Sequence, residues 1–319
     1  MKGLALTGWG IGEPSRVVTN ADLEATLDTS DEWIRGRSGI AERRWAATDE
    51  TTASLATEAV AAALKDAGRT PDEVGYLVLA TCTPDQLMPH TAAAVCDALG
   101  MDCGSFDLHA ACAGFVHGLI VAEGLVRTAP GPVVLVGVER LTSIVDPNDR
   151  TTAVLFGDGA GAAVLERGDG ALLGWDAGTE GSLRSLLEVP LGERYMHMDG
   201  GEVFRRAVRI VVDSAIAACA RAGVDPSAVD LFVPHQANAR IIEAARTRLG
   251  IPEERTVVNI DRWGNTSAAS IPIAIAEAAD RIAGGDLVLT SGFGSGMTFA
   301  SALLRWGSRT NQQEEDHGS

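Results

Sequence analysis

The chain has 319 residues, of which 46% are hydrophobic and 22% charged, and a formal net charge of −17. This suits one large globular domain or two fused halves around a sizeable core, and excludes an intrinsically disordered chain. The acidic balance disfavours nucleic acid and anionic membranes as bulk partners, and no apolar run reaches the roughly 18 residues a membrane span needs.

In chain order, the segment from Met1 to Gly8 is too short and too glycine-broken for a secretory leader and reads as a first strand, which places the protein in the cytoplasm. A helix ending at Ala67-Gly68, a turn at Pro71 and a buried strand at Tyr76-Leu77-Val78-Leu79-Ala80 come next. The same pattern recurs at Ala222-Gly223, Pro226 and Leu231-Phe232-Val233-Pro234, always 155 positions on (222 − 67, 226 − 71). Ala111-Cys112-Ala113 is echoed at the same offset by Thr266-Ser267-Ala268, and Phe156-Gly157-Asp158-Gly159 is echoed by Phe293-Gly294-Ser295-Gly296. Further apolar strands, Val133-Val134-Leu135-Val136 and Leu287-Val288-Leu289, alternate with Ala-rich helices. The alternation predicts a parallel-sheet α/β architecture of two similar halves, residues 1–168 and 169–307, with sites at the strand C-terminal ends. The polar, acidic stretch 308–319 reads as a disordered tail.

Five cysteines, Cys82, Cys96, Cys103, Cys112 and Cys219, show neither a CxxC pair nor metal-ligand spacing, and their odd number argues against a disulfide framework. A free cysteine is ordinarily a small buried hydrophobe, and four of them read that way. Cys112 differs because it lies among Ala and Gly where a strand hands over to a helix. Helix N-terminal N–H groups and their partial positive charge favour thiolate, and small neighbours admit an acyl group. His235 ends the buried strand at Pro234, and Asn265 sits in the tight turn Trp263-Gly264-Asn265. Each alone reads as structural; together with Cys112 they make a constellation for acyl transfer.

The segments Ala110-Ala111-Cys112-Ala113-Gly114-Phe115, Val233-Pro234-His235-Gln236-Ala237-Asn238 and Gly264-Asn265-Thr266-Ser267-Ala268-Ala269-Ser270 resemble the three active-site motifs of β-ketoacyl-acyl carrier protein synthase III. Phe156-Gly157-Asp158-Gly159-Ala160-Gly161 and Thr29-Ser30-Asp31-Glu32-Trp33-Ile34 match two further signatures, so the likeness runs from about residue 3 to residue 306. The resemblance implies a thiolase-like fold of duplicated βαβαβαββ halves in α-β-α-β-α layers, and a homodimer. It implies an acyltransferase in which Cys112 takes an acyl group from acyl-CoA and condenses it decarboxylatively with malonyl-acyl carrier protein, initiating fatty acid or polyketide synthesis. The Cys112 and Gly294 N–H groups would form the oxyanion hole, and His235 and Asn265 would donate to the enolate oxygen. No metal or organic cofactor is called for.

By the same resemblance, Trp33, Arg37 and Arg150 hold the CoA nucleotide, and Phe204 and Asn238 line the pantetheine tunnel. Met88 and Phe156 belong to the acyl pocket, Met88 where a partner subunit commonly offers an aromatic ring. Arg205, Arg240 and Arg248 belong to a basic concentration suited to docking an acidic carrier protein. Two departures stand out: Gly201 replaces a usual polar or basic residue, and the stretch between Gly181 and Met198 is shorter than in relatives. A relative that passes the acyl group to an alcohol or amine, giving an ester or amide, fits the same residues. A non-catalytic polyketide partner subunit generally lacks the nucleophile that Cys112 supplies.

Overall fold

The computed structural model describes residues 3–308. The chain opens with β1 (Gly3–Gly12), then β2 (Arg16–Thr19), α1 (Asn20–Glu24), α2 (Asp31–Ser38) and β3 (Glu42–Trp45). It continues through α3 (Thr52–Asp66), β4 (Tyr76–Ala80), α4 (Thr91–Leu99), β5 (Gly104–Leu108), α5 (Gly114–Val126), β6 (Val133–Arg140) and β7 (Asp158–Gly168). After β8 (Ala171–Thr179) comes a small hairpin of β9 (Leu187–Glu188) and β10 (His197–Met198), then α6 (Gly200–Arg221), β11 (Leu231–Pro234) and α7 (Ala239–Leu249). The last elements are α8 (Ile260–Trp263), α9 (Ser270–Ala278), β12 (Leu287–Gly294) and β13 (Thr298–Arg305).

Local chemistry sets these boundaries. Thr51 and Ser54 cap the start of α3 reciprocally, each hydroxyl accepting from the other's N–H at 3.0 and 2.9 Å. β4, β6 and β11 are runs of Val, Leu and Phe with both faces covered, the pattern of buried parallel strands. Apart from its glycines, His117 and Glu123, α5 is apolar, and most of it is enclosed, with Val121 exposed.

One sheet has the order β1-β7-β6-β4-β5 and the other β11-β12-β13-β8. α3 and α4 cover the outer face of the first, α6 and α7 belong to the outer side of the second, and α5 and α9 lie between the sheets. The result is the expected α-β-α-β-α layering. Its central core joins Phe115, Leu119, Ile271 and Ile275 of the middle helices to Leu135 and Val233 of the two sheets.

The internal repeat is visible in the pairing register. Tyr76 pairs with Val133 in parallel, and Leu231 pairs with Val288, each partner 155 positions on (231 − 76, 288 − 133). Three details differ from the sequence reading. The turn before α5 carries its left-handed residue at Ala111 (φ 45°) and the turn before α9 at Ser267 (φ 49°), so Cys112 is matched by Ala268, not by Ser267. Phe293 lies within β12, whereas Phe156 precedes β7, so these two are not equivalent; the link between the last two strands runs over residues 141–157 in the first half but only 295–297 in the second. The counterpart of β5 is reduced to a single bridge between Phe232 and Thr256, so among the described residues the second half lacks its third full strand.

The insert from β2 to β3 and the 141–157 link form a cap over one end of the sheets, with Ile34, Ile40, Val145, Val154 and Phe156 in a common apolar cluster. Fully buried Arg43 clips them together, donating to Asn20 Oδ1 at 2.8 Å and Val154 O at 2.6 Å. Of the expected tail, only Ser308 falls among the described residues.

Candidate active site

Cys112 sits in a one-turn 3-10 helix, Ala111–Ala113, running directly into α5. Its predecessor, Ala111, adopts φ 45°, a conformation that costs an L-residue about 1–2 kcal/mol and persists here in tight packing. This kink aims the cysteine at the facing sheet. There, Gly294 approaches so closely that a methyl group on it would lie 2.7 Å from Cys112 N and 3.1 Å from Sγ. Only glycine leaves room over the sulfur.

Burial pushes the Cys112 thiol up to about 12; the neighbouring Ser267 hydroxyl opposes that and the nearby Glu139 charge reinforces it. The helix start therefore does not make a resting thiolate, as the sequence suggested. Desolvation outweighs it, and the resting group is the thiol.

His235 extends β11 by donating its N–H to Ser291 O at 2.8 Å, and its ring stands edge-on to Phe293. Its Nδ1 lies 2.7 Å from Ser270 Oγ. That hydroxyl also accepts from the Gln236 N–H, and among the described residues Nδ1 is the one acceptor within reach of its own hydrogen, the arrangement that puts the ring proton on Nε2. Burial lowers the imidazole to about 3, so His235 is a neutral donor at physiological pH.

Asn265 is held by its backbone against the 141–157 link: its N–H donates to Leu155 O at 2.9 Å, and Gly157 N–H donates to Asn265 O at 3.0 Å. The preceding Gly264 has φ 65° with ψ −161°, a conformation essentially reserved for glycine. Asn265 Oδ1 accepts the Ser267 N–H at 2.9 Å, which leaves the amide NH2 as the group offered to a ligand.

All three side chains line one narrow cavity of about 90 Å³, together with Gly294, Phe156, Phe204 and Asn238. Leu187, Met198, Val203 and Phe293 also line it. None of these four was assigned to the site beforehand; the β9–β10 hairpin that supplies Leu187 and Met198 carries no motif. At the mouth, Trp33 on α2 has the Arg37 and Arg150 guanidinium groups 5.6 and 5.4 Å from its ring centre. Asn238 ties this cluster to the tunnel, donating from Nδ2 to Arg37 O at 2.9 Å while its Oδ1 caps α7. Arg240 stacks over Phe204 at 4.9 Å and shares a groove along α7 with Arg248.

Met88 is 83% exposed and does not line this chain's own cavity, a position compatible with a residue offered to a partner subunit. The basic concentration is largely offset: Arg205 pairs with Glu202 at 2.6 Å, Arg209 with Glu180 at 3.5 Å, and Arg246 with Glu243 at 2.7 Å. Sequence counting missed this because the acids lie one turn away or on another segment.

Layering, duplicated sheets and a buried cysteine beneath the crevice between them define an acyltransferase of the thiolase-like fold. Residues 106–181 match the family described as 3-oxoacyl-[acyl-carrier-protein] synthase III, and residues 219–306 match its C-terminal part. A β-ketoacyl-[acyl-carrier-protein] synthase III of Roseiflexus sp. (strain RS-1) is 45% identical, covering 95% of this chain and 98% of that protein. The crystal structure of 3-oxoacyl-[acyl-carrier-protein] synthase III from Aquifex aeolicus VF5 is 43% identical with a TM-score of 0.92, covering 95% of this chain and 100% of that one. The priming β-ketosynthase of the R1128 polyketide pathway also reaches 0.92, at 36% identity and 97% coverage of both chains. The chain belongs to the 3-oxoacyl-[acyl-carrier-protein] synthase III family.

Proposed function

We propose that this chain condenses an acyl primer with malonyl-acyl carrier protein in two stages at one cavity. Cys112 attacks an acyl-CoA thioester, CoA leaves and an acyl-enzyme remains. Malonyl-acyl carrier protein then loses carbon dioxide, and its carbanion attacks the acyl-enzyme to give a 3-ketoacyl-carrier product. Gly294 and the Cys112 N–H bound the space where each oxyanion develops. His235 Nε2–H and the Asn265 amide are neutral donors for the enolate oxygen. No step needs a metal or organic cofactor.

The observation that carries this reading is the convergence of Cys112, neutral His235 and the outward Asn265 amide on one narrow cavity. The Trp33–Arg37–Arg150 cluster suits an adenine ring and its phosphates, and Phe204 and Asn238 suit the pantetheine arm. We read the division of labour as residues 1–168 carrying the nucleophile and residues 169–307 the two donors. We read the exposed Leu87-Met88 loop as the segment that would enter a second copy in a homodimer, where Met88 would close the acyl pocket with Phe156. Arg240 and Arg248, with Arg205, are assigned to carrier docking. Among the described residues no helix is long and apolar enough to cross a membrane, and the cytoplasm is the proposed location.

The test is incubation with a panel of straight and branched acyl-CoAs, with acyl-enzyme read by intact mass, followed by malonyl-acyl carrier protein. A mass increase on Cys112 that is discharged as 3-ketoacyl-carrier protein supports the proposal. Discharge only to alcohols or amines overturns it in favour of ester or amide formation.

A further inference from the structure

Glu139, the penultimate residue of β6, is fully buried and has no part in the scheme above. Its two carboxyl oxygens meet different partners. Oε1 accepts from the Ser267 hydroxyl at 3.0 Å and the Cys82 N–H at 3.2 Å. Oε2 accepts from the Thr83 and Thr81 hydroxyls at 2.7 and 3.3 Å, and shares the Cys82 N–H at 3.1 Å. The Cys82 thiol donates to both at 3.2 Å. The carboxyl is thus anchored in the segment that follows β4, and its remaining partner, Ser267, belongs to the turn before α9.

That turn follows Asn265 directly. Ser267 has φ 49°, left-handed backbone that a residue with a side chain retains only where its surroundings fix it. β6 presses on the turn at a second point, since a methyl group on Gly137 would lie 2.2 Å from Ala268 O. The Ser267 N–H in turn donates to Asn265 Oδ1 at 2.9 Å, and among the described residues no other hydrogen bond holds the Asn265 side chain. The oxygen and nitrogen ends of a carboxamide have nearly the same shape, so packing barely distinguishes its two orientations and hydrogen bonding decides. With Oδ1 tied to Ser267, the NH2 is the end offered to the cavity. Reversed, the amide would set an oxygen against the enolate oxygen and lose a donor.

We infer that Glu139 is a positioning residue for the decarboxylating stage: it fixes Ser267, and the Ser267 N–H fixes which end of the Asn265 amide meets the enolate oxygen. The inference rests on the two-stage reading above. Both links are hydrogen bonds, 3.0 Å from the Ser267 hydroxyl to Glu139 and 2.9 Å from the Ser267 N–H to Asn265. Geometry carries the effect and charge does not. In Glu139→Gln the carbonyl can stand where Oε1 stands, still accepting from Ser267 and the Cys82 N–H, while the NH2 meets the Thr83 and Thr81 hydroxyls, which can turn to accept. Glu139→Ala removes the acceptor and leaves the Ser267 hydroxyl without its anchor.

Carbon dioxide release from malonyl-acyl carrier protein is measured in a Cys112→Ala background, so that any influence of the Glu139 charge on the thiol drops out. Glu139→Ala should slow release roughly 10- to 100-fold, and Glu139→Gln should stay within about threefold. KM for the carrier-bound substrate should hold within about threefold in both, because the amide acts on the reacting atoms. Adding Asn265→Ala should abolish the Glu139→Ala loss, since nothing remains for the carboxyl to act through. Three results overturn the assignment alone: release undiminished in Glu139→Ala, Glu139→Gln as slow as Glu139→Ala, or a Glu139→Ala loss that persists in full beside Asn265→Ala. Release untouched by Asn265→Ala overturns the reading of that amide, and the assignment with it. Should Glu139→Ala fail to fold, Ser267→Ala decides, since Ala111 shows that alanine accepts the same backbone conformation at the equivalent turn. A loss of roughly tenfold that vanishes beside Asn265→Ala supports the assignment, and no loss or an additive one overturns it.

Discussion

Substituting Gly294 by alanine isolates the close approach of the second sheet to the nucleophile. The new methyl carbon would meet Cys112 N at 2.7 Å, Cβ at 3.0 Å and Sγ at 3.1 Å. Non-bonded carbon contacts settle near 3.5 Å or more, so one side must move by roughly 0.5–1 Å. Two of the three atoms, the backbone nitrogen and Cβ of the nucleophile, cannot swing aside; only Sγ ends a side chain. Gly294 itself has φ −167°, extended backbone open to any residue, so the substitution adds no backbone strain. The fold should lose about 1–3 kcal/mol from overpacking and survive. Acylation should fall by about 10²–10³, since a displacement near 1 Å and loss of one oxyanion donor each cost on that order. Single-turnover acylation with a quenched intact-mass readout measures the rate, and a far-UV circular dichroism melt checks folding. A folded variant that acylates within about threefold of wild type would refute the assignment of this space to the oxyanion.

Three further outcomes follow from the same geometry. Asn265→Ala should slow carbon dioxide release from malonyl-acyl carrier protein by about 10²–10³ while leaving acylation of Cys112 within about tenfold, because the amide serves the enolate. Trp33→Ala should raise KM for acyl-CoA by roughly 2- to 30-fold, the span of one desolvated cation–π contact, and leave KM for the carrier-bound substrate unchanged, since the carrier has no adenine. As pH falls through about 6.5 the unfolded chain protonates His235, while the folded site resists until about 3. The unfolded state then binds more protons, so His235 makes stability fall with acid across that window; calorimetric melting temperatures for wild type and His235→Gln should show the slope in the first and lose this contribution in the second.

The local code carried a great deal. Apolar runs such as Val133–Val138 and Leu231–Val233 are legible as buried strands because a parallel sheet covered on both faces demands them. The 155-residue repeat is legible because equivalent strands must meet the same neighbours, and the register Tyr76–Val133 and Leu231–Val288 preserves it. Cys112, His235 and Asn265 stand at strand or turn ends, where chain geometry exposes side chains to a crevice, so their motifs could be found without coordinates.

What the local code lacked was any contact between distant segments. The one-residue shift between the two turns appears only when the left-handed residues, Ala111 and Ser267, are superposed, since residue type alone permits either alignment. The resting thiol on Cys112 follows from desolvation by a whole second sheet, a property of the assembled interior that no neighbour in sequence carries. Glu139 is the penultimate residue of an ordinary strand, and only folding brings the Ser267 hydroxyl, 128 residues away, onto its carboxyl. The sequence by itself determined the strands, the repeat and the three reactive side chains, because those are written in local pattern. Their protonation states, the direction each donor faces and the buried acid beneath the cysteine were decided by tertiary structure, because burial and electrostatics depend on everything that surrounds a group in space.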